Sequence, residues 1–204
     1  MKTKLIFTVL AAFALTIFVG NGALAQTNRS GNETDKQFLD MMLMHHSDGV
    51  KMAQMGVDKA QNAGVKKIAE KMVAGQQKDI EEMQKMRDEH FSGQAKAEMM
   101  TVKGREMTME MMMKMSQEDM QKLEAASGTE FDRTFLDVFM KHHQMAIDMS
   151  KEETSKGKDA EAKKKAREIS TVQTKELAEM KRLKAQVAAK NRKPGRMETA
   201  RAAE

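Results

Sequence analysis

The sequence contains no cysteine, tryptophan or tyrosine, and only one proline among its 204 residues. Without cysteine, the chain forms no disulfide and offers no thiolate to a metal or a substrate. The shortage of aromatic residues argues against a β-sandwich or β-barrel, and the single proline argues against a fold dense in turns. A net charge of +5 with few aromatic residues gives no indication of a nucleic-acid partner.

The chain is instead rich in methionine, with 23 residues, and 32% of its residues carry charges of both signs. Mixed charge of this kind is typical of long solvated helices. The composition therefore favours an all-α protein.

The first 25 residues have the organisation of a secretory signal peptide. Lys2 and Lys4 precede an uncharged apolar run at 5–19, and Ala23 and Ala25 form a small-residue cleavage site. We expect cleavage after Ala25, a periplasmic product of 204 − 25 = 179 residues, and no stable membrane anchor after cleavage. The alternative is an uncleaved transmembrane anchor, but the run is short for a bilayer.

The remaining chain contains an internal repeat. Residues 30–86 align without a gap on residues 127–183 at an offset of 97, with 19 identities in 57 positions. The pattern of each repeat predicts two amphipathic helices. The first helix is capped near Asp35 in the first repeat and near Asp132 in the second, and the breaks between helices lie at 62–64 and 157–159. Two such hairpins predict a four-helix bundle with a Met-rich connecting segment.

The predicted organisation has six parts, and the 1–25 signal peptide is the first. A flexible N-terminus at 26–34 precedes the first hairpin at 35–90. A Met-rich connector at 91–126 holds a short helix that starts near 116–119, because a capping pattern lies there. The second hairpin occupies 127–190, and a flexible basic tail occupies 191–204. The expected core of the second helices comprises Val65, Ile68, Met72, Ile80, Met83 and Met86, with Ala166, Ile169, Val172, Leu177, Met180 and Leu183.

Four of the five histidines form two equivalent pairs that methionines flank at helical spacing. Neutral imidazoles and thioethers together make a soft site that favours Cu(I) and needs no thiolate. Adjacent side chains point about 100° apart on a helix, so one histidine should face the core or the partner helix and the other should flank it. The alternative is that the methionines only fill the core. The candidate metal ligands of the two repeats are Met42, His45, His46, Met52 and Met83, and His142, His143, Met145, Met149 and Met180.

Six of the nine residues at 107–115 are methionine. Exposed methionine at this density suits either a segment that captures soft metal or an adaptable contact surface, and we favour metal. These candidate ligands are Met107, Met109, Met111, Met112, Met113 and Met115.

Enzyme motifs are missing from the sequence. No glutamate lies three residues before a histidine, as a ferritin-type di-iron site requires, and no phosphate-binding glycine loop occurs. We therefore expect no catalytic activity and no haem, flavin or nucleotide. Two pairs of repeated acids, Asp40 with Asp137 and Glu82 with Glu179, either support the histidines or are simply solvated.

One motif contains Phe38-Leu39, His45-His46 and Met52, followed by Gln76 and Met83 on the next helix. In this motif the sequence resembles a secreted bacterial family long catalogued as a domain of unknown function. The resemblance extends over about 35–183. It implies a ferritin-like four-helix bundle with the same duplication, and a role in copper binding and copper tolerance, as for its cyanobacterial periplasmic copper-binding member. The positions it implies as ligands are Met42, His45, His46, Met52 and Met83, and His142, His143, Met149 and Met180.

The chain departs from the family pattern at three positions. Phe139 stands where the family has a methionine three residues before the second His pair, and Met44 and Lys141 replace the usual proline. The second site is therefore expected to be the weaker one unless Met140 or Met145 substitutes.

The expected function is an exported protein that binds copper, with Cu(I) favoured and silver as a second candidate. It would buffer, sequester or hand on the metal in the periplasm and so support metal tolerance. The expected protein partner is a periplasmic metal exporter or metallochaperone. The alternative function is a periplasmic helical stress chaperone or adaptor that uses an exposed Met surface.

Overall fold

A computed structural model of the chain describes residues 31–190. The predicted signal peptide and the 191–204 tail lie outside these described residues. The elements in chain order are α1 (Glu33–Lys59), α2 (Ala63–His90), β1 (Met99–Val102), β2 (Arg105–Thr108), α3 (Met109–Ala125), α4 (Gly128–Lys156) and α5 (Ala160–Lys190).

The four long helices form the bundle. Helix α1 packs chiefly on α2 and α4 packs chiefly on α5, so each repeat is one hairpin. This confirms the all-α, ferritin-like four-helix bundle expected from the sequence. Within the described residues, no helix combines the length and apolar character needed to cross a membrane.

The first helix of each repeat begins earlier than the sequence predicts. Asn32 is the N-cap of α1, and the side chains and backbone N–H groups of Asn32 and Asp35 bond reciprocally. Ser127 occupies the N-cap position of α4. The predicted caps Asp35 and Asp132 are therefore wrong, and residues 33–34 belong to α1 rather than to a flexible N-terminus.

Both aspartates instead hold the turn of the opposite hairpin. The Asp35 carboxylate accepts bonds from the backbone N–H groups of Lys158 and Asp159, both at 2.9 Å. The Asp132 carboxylate accepts bonds from the equivalent groups of Gln61 and Asn62, both at 3.0 Å. Because the start of each first helix meets the end of the other, α1 and α4 run antiparallel and are related by a local two-fold axis.

The core combines methionines and phenylalanines from both repeats in two clusters. One cluster contains Met52 and Met180 around the phenylalanines of α4. The other contains Met42, Met83 and Met149. The prediction that Val172 is part of the core is wrong, because this side chain is 50% exposed on the outer face of α5.

The connector contains a β-hairpin that was not predicted from the sequence. Strands β1 and β2 pair antiparallel around a two-residue turn at Lys103 and Gly104, whose φ angles of 52° and 73° suit a tight hairpin turn. Helix α3 starts at Met109, with Thr108 as its cap, so the predicted start near 116–119 is wrong. The Met-rich segment is thus part strand and part helix.

Buried and exposed ion pairs tie the connector to the bundle. Asp40 accepts a bond from Arg87 at 2.7 Å, and its second oxygen accepts the Ala97 N–H at 2.8 Å. Lys103 pairs with Asp148 on α4 at 2.6 Å. The connector therefore lies across α1 and α4, on one face of the bundle.

A buried carboxyl group lies at the same end of the bundle as Asp35. Glu153 is fully buried in α4, and Gly157 leaves the space that the two carboxyl groups occupy. Burial raises the pKa of Glu153 to about 9, and its hydrogen bond to Asp35 and the charge of Asp35 act in the same direction. Glu153 is therefore protonated at neutral pH and donates to Asp35.

Changing Asp132→Ala should lower the free energy of unfolding by roughly 1–3 kcal/mol, because two backbone N–H groups in the 61–62 turn lose their acceptor. Urea denaturation measures the change. Asp137→Ala is the matched control, since this exposed carboxylate pairs with Lys184 at the surface and should contribute less than about 1 kcal/mol. Equal losses in the two variants would show that Asp132 does not stabilise the 61–62 turn.

Changing Glu153→Gln should remove a pH dependence of stability. In the unfolded chain Glu153 ionises near its ordinary pKa of 4.5, whereas the folded protein keeps the proton up to about pH 9. Its stabilising contribution is therefore complete below pH 4.5 and is lost as the pH rises towards 9.

The Glu153→Gln variant, whose side chain is neutral at every pH, should be more stable than the parent by roughly 1–3 kcal/mol at pH 8 and nearly equal to it at pH 4. Thermal unfolding across this pH range measures the difference. Glu130→Gln, which removes a 70% exposed carboxylate, is the control. A parallel gain in both variants would show that net charge, and not the buried proton, is responsible.

Candidate metal centre

The two His pairs meet at the centre of the bundle. The antiparallel packing of α1 and α4 stacks His45 on its repeat equivalent His142, with ring centroids 3.6 Å apart. The His142 Nε2–H donates to the His45 carbonyl oxygen at 3.1 Å, which leaves the His142 Nδ1 lone pair available. Gly49 permits this approach, because a Cβ there would lie 2.7 Å from the His142 ring.

The other two histidines face α2 and α5. The His143 Nε2 lies 2.7 Å from Glu176, and the His46 Nε2 lies 3.5 Å from Asp79. Asp79 and Glu176 are themselves repeat equivalents, since 176 − 79 = 97. This acidic pair was not predicted from the sequence, because the offset of 97 relates the two positions but does not show which histidine each acid faces.

The repeated acids that the sequence suggested as histidine partners pair with basic residues instead. Asp40 bonds Arg87 and Asp137 pairs with Lys184, which are repeat-equivalent pairs. The other two acids also contact lysines, Glu82 with Lys165 and Glu179 with Lys71.

The structure therefore brings both His pairs into one four-histidine centre, where the sequence suggested two sites. Ring centroids within the two pairs are 6.0 and 6.1 Å apart. Both histidines of the first pair are buried, since His45 and His46 are 3% and 0% exposed.

Ring nitrogens in this centre are buried without hydrogen-bond partners among residues 31–190. They include both nitrogens of His45 and the Nδ1 atoms of His46, His142 and His143. Both side-chain polar atoms of Gln76, which neighbours His142 at Gly49, are also unpaired there. Such atoms are rare in folded proteins, because each costs roughly 1–3 kcal/mol. A metal ion bound to these nitrogens would remove that cost.

Burial sets the protonation state of the centre. It lowers the pKa of His45 and of His142 well below 6.5, and the neighbouring histidines lower both further. Burial also lowers the pKa of His143, although Glu176 opposes the change. Neutral imidazoles, the form that binds metals, are therefore present at neutral pH.

A cavity of about 60 Å³ lies between α3 and the stacked His45 and His142 rings. Helix α3 closes it, so part of the Met-rich tract comes to lie beside the histidines. The other lining residues are four methionines, Met52, Met112, Met115 and Met145, with Asp48, Ser116, Asp119 and Lys141. The sequence predicts these ligands in separate groups, and the structure brings six of them together.

The remaining predicted methionines lie elsewhere. Met111 and Met113 are 51% and 52% exposed on α3. Met107 and Met109 are partly buried against the cluster that contains Met100. In the same cluster Met42, Met83 and Met149 are fully buried, whereas Met180 packs with Met52 in the other cluster. Each methionine cluster thus draws on both repeats, contrary to the grouping by repeat that the sequence suggested.

Phe139 replaces a thioether next to the second His pair. Its ring lies 5.5 Å from His142 and 5.9 Å from His143, measured between centroids. The equivalent residue of the first repeat is Met42. The two repeats therefore differ at this position, with a thioether in the first and a phenyl ring in the second.

Two stretches of the chain, 20–87 and 35–184, match the family described as "Domain of unknown function (DUF305)". A DUF305 fragment from Deinococcus radiodurans has the same fold, with 22% identity over 76% of this chain and 98% of that one, and a TM-score of 0.64. A comparison with curated proteins gave no match.

The chain is also similar to CopM. The Cu(II)-bound form of CopM is 30% identical over 74% of this chain and 96% of that one, with a TM-score of 0.62. The Cu(I)-bound form and the form soaked with Ag are each 27% identical over 74% of this chain, and they cover 96% and 95% of CopM, both with a TM-score of 0.60. These matches confirm the resemblance predicted from the His-pair motifs.

Proposed function

The chain belongs to the DUF305 family, and from this membership and its His–Met cavity we propose that it binds Cu(I), with Ag(I) as a second ion. The observation that carries the proposal is the cavity itself, where two stacked histidines and four thioethers line one space of about 60 Å³. The metal is cargo, which the protein buffers, sequesters or passes on outside the cytoplasm.

The chemistry of the lining supports a soft ion. Thioethers bind soft monovalent ions well and hard divalent ions poorly, and neutral imidazoles add nitrogen ligands without releasing a proton. The His45 ring lines the cavity, and its buried nitrogens are candidate ligands for the ion. The similarity to CopM in its Cu(I), Cu(II) and Ag forms supports binding of copper or silver.

We further propose that the protein works without catalytic turnover, since buffering needs only reversible coordination. The signal-peptide pattern at 1–25 supports a periplasmic site of action. The exposed thioethers of Met111 and Met113 on α3 suit transient exchange of metal with an exporter or a metallochaperone.

The second candidate function is a stress chaperone or adaptor. It is favoured by the same exposed face of α3, where Met111 and Met113 are 51% and 52% exposed. A Met-rich surface adapts to apolar segments of different shape. This function would not require the buried histidines.

The decisive experiment separates the cavity thioethers from the exposed ones. Met112→Leu with Met115→Leu conserves side-chain volume and removes two sulfur atoms from the cavity. We expect Cu(I) affinity to fall about tenfold or more, since two soft ligands are lost. Competition with a chromophoric Cu(I) chelator measures the affinity.

The matched control is Met111→Leu with Met113→Leu, which removes two exposed thioethers from the same helix. Its affinity should remain within twofold of the parent. If both double variants bind Cu(I) equally well, the cavity is not the site. Suppression of client aggregation by the metal-free protein, lost only in the exposed-face variant, would favour the adaptor function.

Changing Phe139→Met should strengthen Ag(I) binding several-fold or add a second equivalent, because it restores next to His142 and His143 the thioether that Met42 provides in the first repeat. Isothermal titration with Ag(I) measures both quantities. The control is Phe135→Met, a buried phenylalanine one turn away on α4. Identical titrations of the two variants would show that position 139 does not influence the centre.

A further inference from the structure

A second group of metal-binding side chains lies where the end of α2 meets the start of α5. Of the five histidines in the chain, His90 is the one that belongs to neither His pair. One ligand atom from each of Glu89, His90 and Glu161 lies within 4.8 Å of the other two. The three residues come from two helices, and Glu89 and Glu161 are exposed, so an ion could reach them from solvent.

The His90 ring is held in a defined orientation. Its side chain is 1% exposed, and its Nδ1 lies 2.9 Å from an oxygen of Asp159. The other Asp159 oxygen accepts the backbone N–H groups of Glu161 and Ala162, both at 2.9 Å. Asp159 therefore orients the His90 ring and the first turn of α5 together. The Nε2 atom on the other side of the ring faces Glu161.

The distance between the two nearest ligand atoms suits one shared ion. The His90 Nε2 and a Glu161 carboxylate oxygen are 3.5 Å apart. Two ligands bound at about 2.0–2.2 Å to one tetrahedral ion lie roughly 3.3–3.5 Å from each other. A carboxylate behind a histidine, such as Asp159 here, is the usual support of a metal-bound imidazole.

The internal repeat provides a comparison within the same molecule. The equivalents of His90, Asp159 and Glu161 are Val187, Asn62 and Gly64. Asn62 caps α2 in the same way as Asp159 caps α5, through the N–H groups of Gly64 and Val65. The fold therefore forms this turn without the histidine or the two glutamates. These side chains are not needed for capping, which leaves a binding role open to them.

We propose that His90, Glu161 and Glu89 bind a divalent transition-metal ion of borderline softness, with Zn²⁺ as the representative ion. Nitrogen and carboxylate ligands without sulfur suit such ions and disfavour Cu(I). The site is distinct from the His45–His142 cavity in its residues and in its class of ion, and the proposal does not depend on the function of that cavity.

The test uses the purified protein saturated with Ag(I), so that the His45–His142 cavity is filled first. Titration with Zn²⁺ should then give one further equivalent by calorimetry, and Co²⁺ should give visible absorption bands as a spectroscopic probe. Glu161→Gln should weaken Zn²⁺ binding at least tenfold and remove the Co²⁺ bands. The matched control Glu81→Gln removes an exposed charge from α2, two turns before Glu89, and should bind as the parent does.

Asp159→Asn tests the orienting carboxylate. Asparagine caps the equivalent helix at Asn62, so the fold should persist with unchanged thermal unfolding. We expect Zn²⁺ affinity to fall about 10–100-fold, the usual effect of removing such a partner.

Two results would overturn the proposal. One is equal Zn²⁺ binding by the Glu161→Gln and Glu81→Gln variants. The other is loss of the Zn²⁺ equivalent once Ag(I) is bound, which would place Zn²⁺ in the four-histidine centre. If instead the protein takes up no Ag(I) but still binds Zn²⁺ through Glu161, the proposed soft-metal function fails and the second site stands.

Discussion

The antiparallel packing of α1 against α4 is the contact on which the rest of the molecule depends. Because the two helices are repeat equivalents, their crossing about a local two-fold axis brings each residue near the axis close to its own counterpart, and His45 therefore stacks on His142. Asp35 and Asp132 hold this arrangement from both ends, each by bonding the turn of the opposite hairpin. The helix crossing determines which side chains meet, and the aspartates keep it in register.

The connector makes the two sides of the bundle different, and the candidate cavity depends on this asymmetry. Asp40 and Arg87 are buried beneath the connector, whereas the equivalent pair of Asp137 and Lys184 is exposed. The connector covers one face of the α1–α4 crossing, so Met112 and Met115 of α3 come to lie beside the histidines on that face alone. The stacked rings thus form part of the wall of a cavity, and burial keeps them neutral because it lowers the pKa of both.

Helix periodicity and the offset of 97 were sufficient to predict the four long helices and the two hairpins. They could not predict that the pairs converge, because periodicity defines the face of a helix and not the helix that covers it. Asp79 and Glu176 were missed for the same reason, since only interhelical packing shows which acid faces which histidine. The hairpin at 99–108 was missed because methionine is not a typical strand residue, and only the Lys103–Gly104 turn marks it. The start of α3 was predicted too late for the same reason, because the helix begins directly after this hairpin.

Reciprocal bonding between the repeats has a consequence for how such a protein can arise. Since Asp35 and Asp132 each act on the opposite hairpin, a chain with one hairpin would need a second copy of itself to fix its turn and to pair its histidine. Fusion makes that encounter intramolecular, so assembly no longer depends on protein abundance. Fusion also allows the two hairpins to differ in sequence. Gly49, Phe139 and His90 each occur in one repeat only, and a symmetric assembly of identical hairpins could not have acquired them singly.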